Sequence, residues 1–364
     1  MMRRLQTWLF IPILIMLLVA GGCSRLDRDA SGILQRGFPA EPESLDPQKA
    51  RPTQAGDVLR DIGEGLVGFS STGDLVAAAA ERWEVSEDGR VYTFYLRPEA
   101  RWSNGDPVVA GHFVFGLRRL VNPATAAFYA QFLADIENAG DIVAGDVAPD
   151  ELGVEAPDDL TLVIRLARAT PYMLSLLTHP STFPVHPGSI AEHGDDFTKP
   201  GKLLSNGAYK LEAWVPGSTI AIRRNEHYWN NTNTAIDRVN YHVLIQDQVE
   251  LNRYRAGELH ITSTVPAESF AKVRQEYGDE LRVAPMLGVY YYGFNLTRPP
   301  FRDNPALREA LSMAIDREVL AENIIGRGEV PAYSWVPPGT DNYEPAIMSF
   351  AALTQGERNK LANG

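Results

Sequence analysis

The sequence predicts an α/β or α+β protein with mixed sheets. Strand, turn and strand patterns run over 83 to 97, 152 to 166 and 207 to 224, where apolar and polar residues alternate. Helical spacing of apolar residues runs over 110 to 121 and 305 to 325. Because strand and helix patterns interleave along the chain, we expect helices packed on sheets.

Residues 1 to 22 predict an export signal. Two arginines precede an apolar run from Trp8 to Ala20, which is 13 residues long, whereas a membrane-spanning helix needs roughly 20. Small residues then precede Cys23, the only cysteine in the sequence. This arrangement resembles the lipobox of bacterial lipoproteins, in which that cysteine carries the lipid, although Ala20 stands where Leu is usual. The alternative is an ordinary exported protein, and neither form closes an internal disulfide.

Turn and cap residues set the bounds of the remaining elements. The first hairpin turns at Asp88–Gly89, a dipeptide that suits a tight turn between strands. The helix at 110 to 121 carries an apolar stripe formed by Phe113, Leu117 and Leu120. The helix at 305 to 325 is expected to begin at the cap residue Asn304 and to end at Gly326.

Composition and charge limit the possible functions. The chain is 45% hydrophobic and 22% charged, which is typical of a globular protein, and its formal net charge is -12. An acidic surface repels phosphate backbones, so nucleic acid is not an expected partner. The part that follows the export signal is longer than one hydrophobic core usually serves, so two or more lobes are expected.

The motifs of common catalytic and metal sites are missing from the sequence. The sequence has no HExxH zinc motif and no GxSxG nucleophile elbow. The Gly201–Lys202 pair lacks the glycine spacing and the Ser or Thr of a phosphate-binding loop, and Asp158–Asp159 suits a turn. We therefore expect no catalytic residue, no metal site and no cofactor.

Seven stretches, taken in order, carry a family resemblance. They are EPESLDPQKA (41 to 50), AERWEVSEDGRVYTFYLRPEARWSNGDPVVAGHFVFGLRRLVNPATAAFYA (80 to 130), GVEAPDDLTLVIRL (153 to 166), LSNGAYKLEAW (204 to 214), RNEHYWNN (224 to 231), RYRAGELHIT (253 to 262) and YYYGFN (290 to 295). Together they resemble the extracytoplasmic oligopeptide-binding proteins of ABC transporters, solute-binding protein family 5. The resemblance runs from about residue 40 to the end of the sequence.

The resemblance implies an α/β fold of the two-lobe, periplasmic-binding-protein-like class (type II) with mixed sheets, whose lobes close over a ligand. It also implies a division of the chain: 1 to 22 is the signal peptide, 23 to 63 and 188 to 289 form lobe I, 64 to 187 form an accessory domain, and 290 to 364 begin lobe II. Relatives are longer, so the second lobe is expected to be incomplete. The sequence is then either a fragment or a short product with impaired binding.

The implied function is that of a solute-binding lipoprotein. It captures oligopeptides outside the cytoplasmic membrane and delivers them to an ABC permease, whose ATPase is a separate subunit. The resemblance implies a monomer held by a lipid on Cys23 at the periplasmic or extracellular face of that membrane. In this family the main chain of the ligand is bound and its side chains lie in hydrated pockets, which permits many peptide sequences.

The resemblance also implies ligand contacts, at Arg51, Pro52, Thr53, Tyr129, His179, Tyr290 and Tyr292. Arg51 stands where enteric relatives have Glu, and an arginine favours a carboxylate on the ligand. Surface exposure of Arg51, a structural role of His179 and core packing of the tyrosines remain open alternatives. Strand alternation places Tyr290 and Tyr292 on one face and Tyr291 on the other. Trp102 and Asp106 are expected to be packing and turn residues.

One departure from the family pattern concerns a helix cap. Val109 and His112 replace the Thr and the acid of relatives, so the reciprocal cap is expected to be lost at a cost of about 1 kcal/mol. Two other functions remain open. One is a binder of the same fold for murein peptide, a nickel chelate or a heme-like ligand, and the other is an envelope hydrolase or a purely structural lipoprotein.

Overall fold

The computed structural model describes residues 32 to 284, 286 to 340 and 343 to 363, with the backbone alone at 52 to 54. The predicted signal peptide and Cys23 lie outside the described residues. The chain divides into two compact units, the first ending at Thr264 and the second beginning at Val265. None of the helices in the described part combines the length and the apolar character needed to cross a membrane.

The first unit alternates strands and helices along the chain. Its strands are β1 (Ile33–Phe38), β2 (Val67–Phe69), β3 (Leu75–Ala77), β4 (Ala80–Val85), β5 (Val91–Leu96), β6 (Val154–Glu155), β7 (Thr161–Arg165), β8 (Tyr209–Val215), β9 (Thr219–Arg224) and β10 (Arg238–Val243). Its α-helices are α1 (Pro52–Ile62), α2 (Ala110–Val121), α3 (Ala139–Ala144), α4 (Met173–Leu176), α5 (Pro187–His193) and α6 (Asp247–Arg255).

The strands form one mixed sheet, one antiparallel sheet and a small hairpin. The mixed sheet has the order β1-β10-β9-β8, in which β1 runs parallel to β10 and the other pairs are antiparallel. The antiparallel sheet has the order β4-β5-β7-β6, and β2 pairs with β3. The prediction of mixed sheets is thus confirmed.

The three predicted hairpins are present. Strands β4 and β5 pair with Trp83 opposite Phe94, and the turn between them contains Gly89 at φ +68°. Strands β8 and β9 are joined through Gly217 at φ +69°. Such positive φ values favour glycine, because it lacks a Cβ atom. The middle hairpin is weaker than expected, since β6 has only two residues.

Two hydrophobic cores stabilise the first unit. One core lies between the antiparallel sheet and α2, and its fully buried side chains include Phe94, Phe113, Leu117, Leu120, Leu162 and Ile164. The other lies between the mixed sheet and α1, and it includes Val58, Leu59, Ile62, Ile220, Ile222 and Tyr241. The apolar stripe predicted for α2, formed by Phe113, Leu117 and Leu120, is therefore buried in the first core.

The cap of α2 is only partly lost. Val109 offers no side-chain acceptor, but its N–H donates to Nδ1 of His112 at 3.2 Å. The same Nδ1 accepts from Nε1 of buried Trp102 at 3.0 Å. The expectation that both cap bonds disappear is wrong for one of them, because an imidazole nitrogen accepts as the acid would. Trp102 also donates its backbone N–H to Asp106, which agrees with the predicted packing and turn roles.

The second unit contains α7 (Phe270–Tyr277), α8 (Pro305–Met313), a π-helix (Val319–Ile325) and α9 (Gln355–Ala362). Asn304 caps α8 as predicted, since its Oδ1 accepts from Leu307 N–H at 3.0 Å. A single helix over 305 to 325 is wrong, because Asp316 Oδ1 accepts from Val319 N–H at 3.0 Å and begins a second segment. That segment ends at Gly326, at φ +62°.

Candidate binding site

Three predicted residues of the first unit lie together around a group of rings. The rings of Tyr129, Phe132 and His179 contact one another, with centroid distances of 4.8 Å between the first two, 4.7 Å from Tyr129 to His179 and 4.9 Å from Phe132 to His179. Phe128 adds a fourth ring, 4.9 Å from that of Tyr129. We call these four residues the aromatic cluster.

Short 3-10 turns hold the rings of the aromatic cluster in place. Tyr129 precedes the turn Ala130–Leu133, whose Leu133 is buried in the first core. His179 precedes the turn Pro180–Thr182, and its Nδ1 accepts from the backbone N–H of Ser181 at 3.3 Å. The histidine therefore has the structural role that the sequence left open, in addition to its place in the aromatic cluster.

The contacts of Nδ1 favour one tautomer of His179. Burial and, to a smaller extent, the positive charge of Arg60 together lower the pKa of His179 to about 4, so the ring is neutral at pH 7. Nδ1 accepts from Ser181 N–H and lies 2.7 Å from the Ser181 hydroxyl, which can also donate to it, and this arrangement favours the ring proton on Nε2. Within the described residues neither this Nε2–H nor the hydroxyl of Tyr129 has a hydrogen-bond partner.

Arg51 joins the aromatic cluster from a third segment of the chain. It is the residue before α1, and its guanidinium lies 5.1 Å from the ring centroid of Phe128. It is exposed, and its Nε lies 4.0 Å from a carboxylate oxygen of Glu43. Pro52 and Thr53 begin α1, but their side chains lie outside the described part.

Tyr290 and Tyr292 lie in the second unit. Their ring centroids are 5.6 Å apart and the residues are 85% and 78% exposed, so neither is packed into a core formed by the described residues. Tyr291 instead contacts Trp335 at 4.4 Å, which agrees with the predicted separation of faces. Residues 288 to 295 form no strand, however.

Three residues in or near the aromatic cluster were not identified from the sequence. Phe128 and Phe132 flank the predicted Tyr129, and the spacing of aromatic residues in AAFYAQF was the available signal. Arg60, in the last turn of α1, had no such signal, because its distance from His179 depends on the packing of α1. A charged residue on a helix usually lies on the solvent-exposed face. The sequence does not distinguish such a residue from one that lies near a binding site.

The stretch RNEHYWNN has a structural role in the first unit. The hydroxyl of Tyr228 donates to Oε1 of Glu64 at 2.6 Å, and Nε1 of Trp229 donates to Oε2 at 2.9 Å. Arg97 lies over the Trp229 ring at 3.8 Å. Burial raises the pKa of Glu64 to about 7, although both hydrogen bonds oppose that rise.

A separate cavity in the first unit is too small for a peptide. Its volume of about 30 Å³ holds roughly two water molecules, and its lining includes Leu45, Leu59, Phe183 and Leu203. In the described part of the chain, no group of three or more His, Cys, Asp or Glu residues is arranged to hold a metal ion.

Comparisons with known proteins agree with the resemblance. Residues 74 to 356 match the model of the bacterial extracellular solute-binding proteins, family 5. The periplasmic oligopeptide-binding protein OppA of Salmonella typhimurium is 39% identical over 332 residues, which are 90% of this chain and 61% of that protein. The periplasmic murein peptide-binding protein MppA of Escherichia coli is 38% identical, with the same coverage of each chain.

Solved structures give the same result. The murein tripeptide binding protein MppA of Escherichia coli matches with a TM-score of 0.85 at 38% identity, covering 91% of this chain and 65% of that one. OppA of Haemophilus influenzae, solved in complex with RPPGFSPFR, matches with a TM-score of 0.85 at 38% identity, covering 92% and 66%. These matches agree with the predicted α/β fold of the two-lobe class.

The chain spans about 61% of the length of the curated relatives described above. Those relatives are named as binding proteins, in agreement with the expectation of a non-enzymatic chain. The family model covers most of this chain, and the relatives match 90% of it at 38% identity or more. The chain therefore belongs to the bacterial extracellular solute-binding proteins of family 5.

Proposed function

We propose that this protein captures oligopeptides outside the cytoplasmic membrane and delivers them to the permease of an ABC transporter. One observation supports the proposal most directly. Tyr129 and His179, both predicted from the sequence, meet in the aromatic cluster with polar groups that have no partner among the described residues. The peptide-binding relatives make a peptide the ligand that these groups suit best.

The chemistry of the aromatic cluster fits a ligand with a regular main chain. The Nε2–H of His179 and the hydroxyl of Tyr129 can donate to peptide carbonyls, which every peptide carries. The rings of Phe128 and Phe132 offer apolar area to side chains without demanding a particular one. This combination favours binding that depends little on peptide sequence.

The remaining ligand contacts belong to the same proposal. Arg51 supplies a cation at the edge of the aromatic cluster, and Pro52 and Thr53 lie next to it in sequence at the start of α1. Tyr290 and Tyr292 are proposed contacts of the second unit, and their high exposure supports that role. No catalytic residue, metal or cofactor takes part.

The proposed division of the chain is that of the family. Segments 23 to 63 and 188 to 289 form lobe I, 64 to 187 form the accessory domain, and 290 to 364 begin lobe II. The two cores support this division, because one uses residues between Leu66 and Leu177 and the other combines α1 with the mixed sheet. We also propose that residues 1 to 22 are cleaved and that a lipid on Cys23 anchors a monomer to the membrane.

A murein peptide is the second candidate ligand. The murein tripeptide binding protein MppA matches with the same TM-score as OppA of Haemophilus influenzae, 0.85, and at the same identity of 38%. Both ligands offer amide groups to the aromatic cluster. Competition between a murein tripeptide and an ordinary tripeptide, followed by calorimetry, ranks the two candidates.

A peptide library tests the main proposal. The purified protein is incubated with peptides of two to five residues, and the bound material is identified by native mass spectrometry. Recovery of intact peptides supports capture, whereas recovery of fragments supports the alternative of an envelope hydrolase. If no peptide binds at all, the proposed function is wrong.

A further inference from the structure

The surface around the aromatic cluster carries positive charge, although the chain as a whole is acidic. Arg51 lies against Phe128, and Arg60 is close enough to His179 to lower the pKa of its imidazole. Both arginines are exposed. Arg51 precedes the first turn of α1 and Arg60 lies in its last turn, so the same helix carries both cations. The chain as a whole has a formal net charge of -12.

Neither arginine is neutralised by a close ion pair. The carboxylate of Glu43 is the acid nearest to Arg51 in ion-pair range, and it lies at the 4.0 Å limit with a largely exposed side chain. Arg60 makes no hydrogen bond or ion pair within the described residues. Its neighbour Asp61 already accepts from the hydroxyl of Tyr241. Exposed pairs at such distances contribute little, so both cations are open to a ligand.

The polar groups that face a ligand here are mainly donors. The guanidinium groups of Arg51 and Arg60 donate only, and the Nε2–H of His179 donates in the tautomer that Ser181 favours. Tyr129 adds a hydroxyl that can donate. A surface rich in donors and positive charge favours a ligand that brings acceptors and negative charge.

We propose that this surface selects short peptides that carry an acidic side chain. The proposal rests on the proposed function, since it assigns a side-chain preference to the same site. The carboxylate of the ligand pairs with Arg51 or Arg60, while the aromatic cluster and its two donors hold the main chain. A peptide with glutamine in place of the acidic residue has nearly the same shape but no negative charge, so it serves as the comparison.

Calorimetry with three tripeptides at low salt tests the preference. The peptides are Ala-Glu-Ala, Ala-Gln-Ala and Ala-Lys-Ala, and the protein is used as the full chain. We expect the Glu peptide to bind about threefold or more tighter than the Gln peptide, with the Lys peptide weakest, as an exposed ion pair allows. The double variant Arg51→Gln, Arg60→Gln should bring the Glu to Gln affinity ratio to about one.

A matched control separates this surface from net charge. Arg82 is an exposed arginine that lies over Tyr95 in the antiparallel sheet, and Arg82→Gln should leave the Glu to Gln ratio unaltered. The proposal is overturned if the unchanged protein binds both peptides equally, or if the preference survives in the double variant. In those cases the proposed function stands. If none of the three peptides binds, both proposals fail together.

Discussion

Asp46 and Arg119 form a buried ion pair with two parallel hydrogen bonds. Nη1 and Nη2 of Arg119 donate to the two carboxylate oxygens of Asp46, at 2.7 Å and 2.5 Å. The side chains are 4% and 13% exposed. Asp46 belongs to the stretch EPESLDPQKA, and Arg119 lies in α2, so the pair links this segment to α2.

Removal of one partner should destabilise the fold. Arg119→Met leaves the carboxylate of Asp46 buried without a counter-charge, and we expect a loss of about 3 to 5 kcal/mol in the free energy of unfolding. Urea titration followed by circular dichroism measures this loss. Arg165→Met is the control, because Arg165 pairs with Glu155 on the surface, and its loss should stay within about 1 kcal/mol. Equal losses in the two variants would contradict the prediction.

Glu64 should make the stability of the protein depend on pH. Burial raises its pKa in the folded state from 4.5 to about 7, so the folded state holds the proton more tightly than the unfolded state does. This contribution to stability is complete below the unfolded pKa and is lost as the pH rises through about 7. Glu64→Gln should therefore flatten the decline in unfolding free energy between mildly acidic and mildly alkaline solution.

Chemical denaturation at several pH values checks the role of Glu64. The control is Glu81→Gln, which removes an exposed carboxylate from β4 and should leave the slope with pH as it is in the unchanged protein. A slope that is the same in the Glu64→Gln variant would show that another group causes the decline.

Gly37 should not tolerate a side chain. A Cβ atom at this position would lie 1.6 Å from Oε1 of Glu250, which is fully buried and accepts from the backbone N–H and the hydroxyl of Ser263. We expect Gly37→Ala to cost about 1 to 3 kcal/mol, as overpacking does. The midpoint of thermal unfolding gives the direction of the effect.

Gly111 offers the opposite case. It lies within α2, and nothing stands within 4 Å of a Cβ atom added there. Alanine favours a helix over glycine by about 0.5 to 1 kcal/mol, so Gly111→Ala should stabilise the protein. A gain at Gly37 or a loss at Gly111 would contradict the packing described here.

Tyr129→Ala should weaken peptide binding without unfolding the protein. The ring contacts Phe132 and His179 and is only half-buried, so its loss removes ligand contacts more than core packing. We expect an affinity about tenfold lower by calorimetry. Phe69→Ala is the control, since it removes an exposed ring from β2 outside the aromatic cluster. Unchanged affinity in the Tyr129 variant would count against a role in binding.

Cys23→Ser should abolish attachment to the membrane, because the thiol is the proposed site of the lipid. The variant is expressed in the native host, and the soluble and membrane fractions of the cell envelope are compared by immunoblot. Metabolic labelling with a fatty acid provides a second measurement, and the label should be absent from the variant. Persistence of the variant in the membrane fraction would refute lipidation.

Local patterns in the sequence predicted much of the fold. The turns at Gly89 and Gly217 and the bounds of α2 follow from periodicity and turn chemistry, which act over a few residues. The break before Val319 was missed because Asp316 continues a helical pattern while its side chain begins a new segment. Whether a helix continues or a new segment begins at such a residue depends on the local backbone geometry, which the apolar spacing does not give.

The candidate site was predicted less completely than the fold. Tyr129 and His179 came from family motifs, and the structure brings them together. Arg60 was missed, because its approach to His179 depends on how α1 packs in three dimensions. Phe132 was missed although its spacing from Tyr129 gave a local signal. Sequence spacing carries no information on the approach of Arg60 to His179, because the two residues are far apart in the chain.

The neutral imidazole of His179 determines how the surface around the aromatic cluster responds to a fall in pH. Its pKa of about 4 means that mild acidification of the medium does not add a proton to the ring. The Nε2–H stays a donor, and no third positive charge appears beside Arg51 and Arg60. The charge and the donor groups of this surface therefore stay the same in mildly acidic solution.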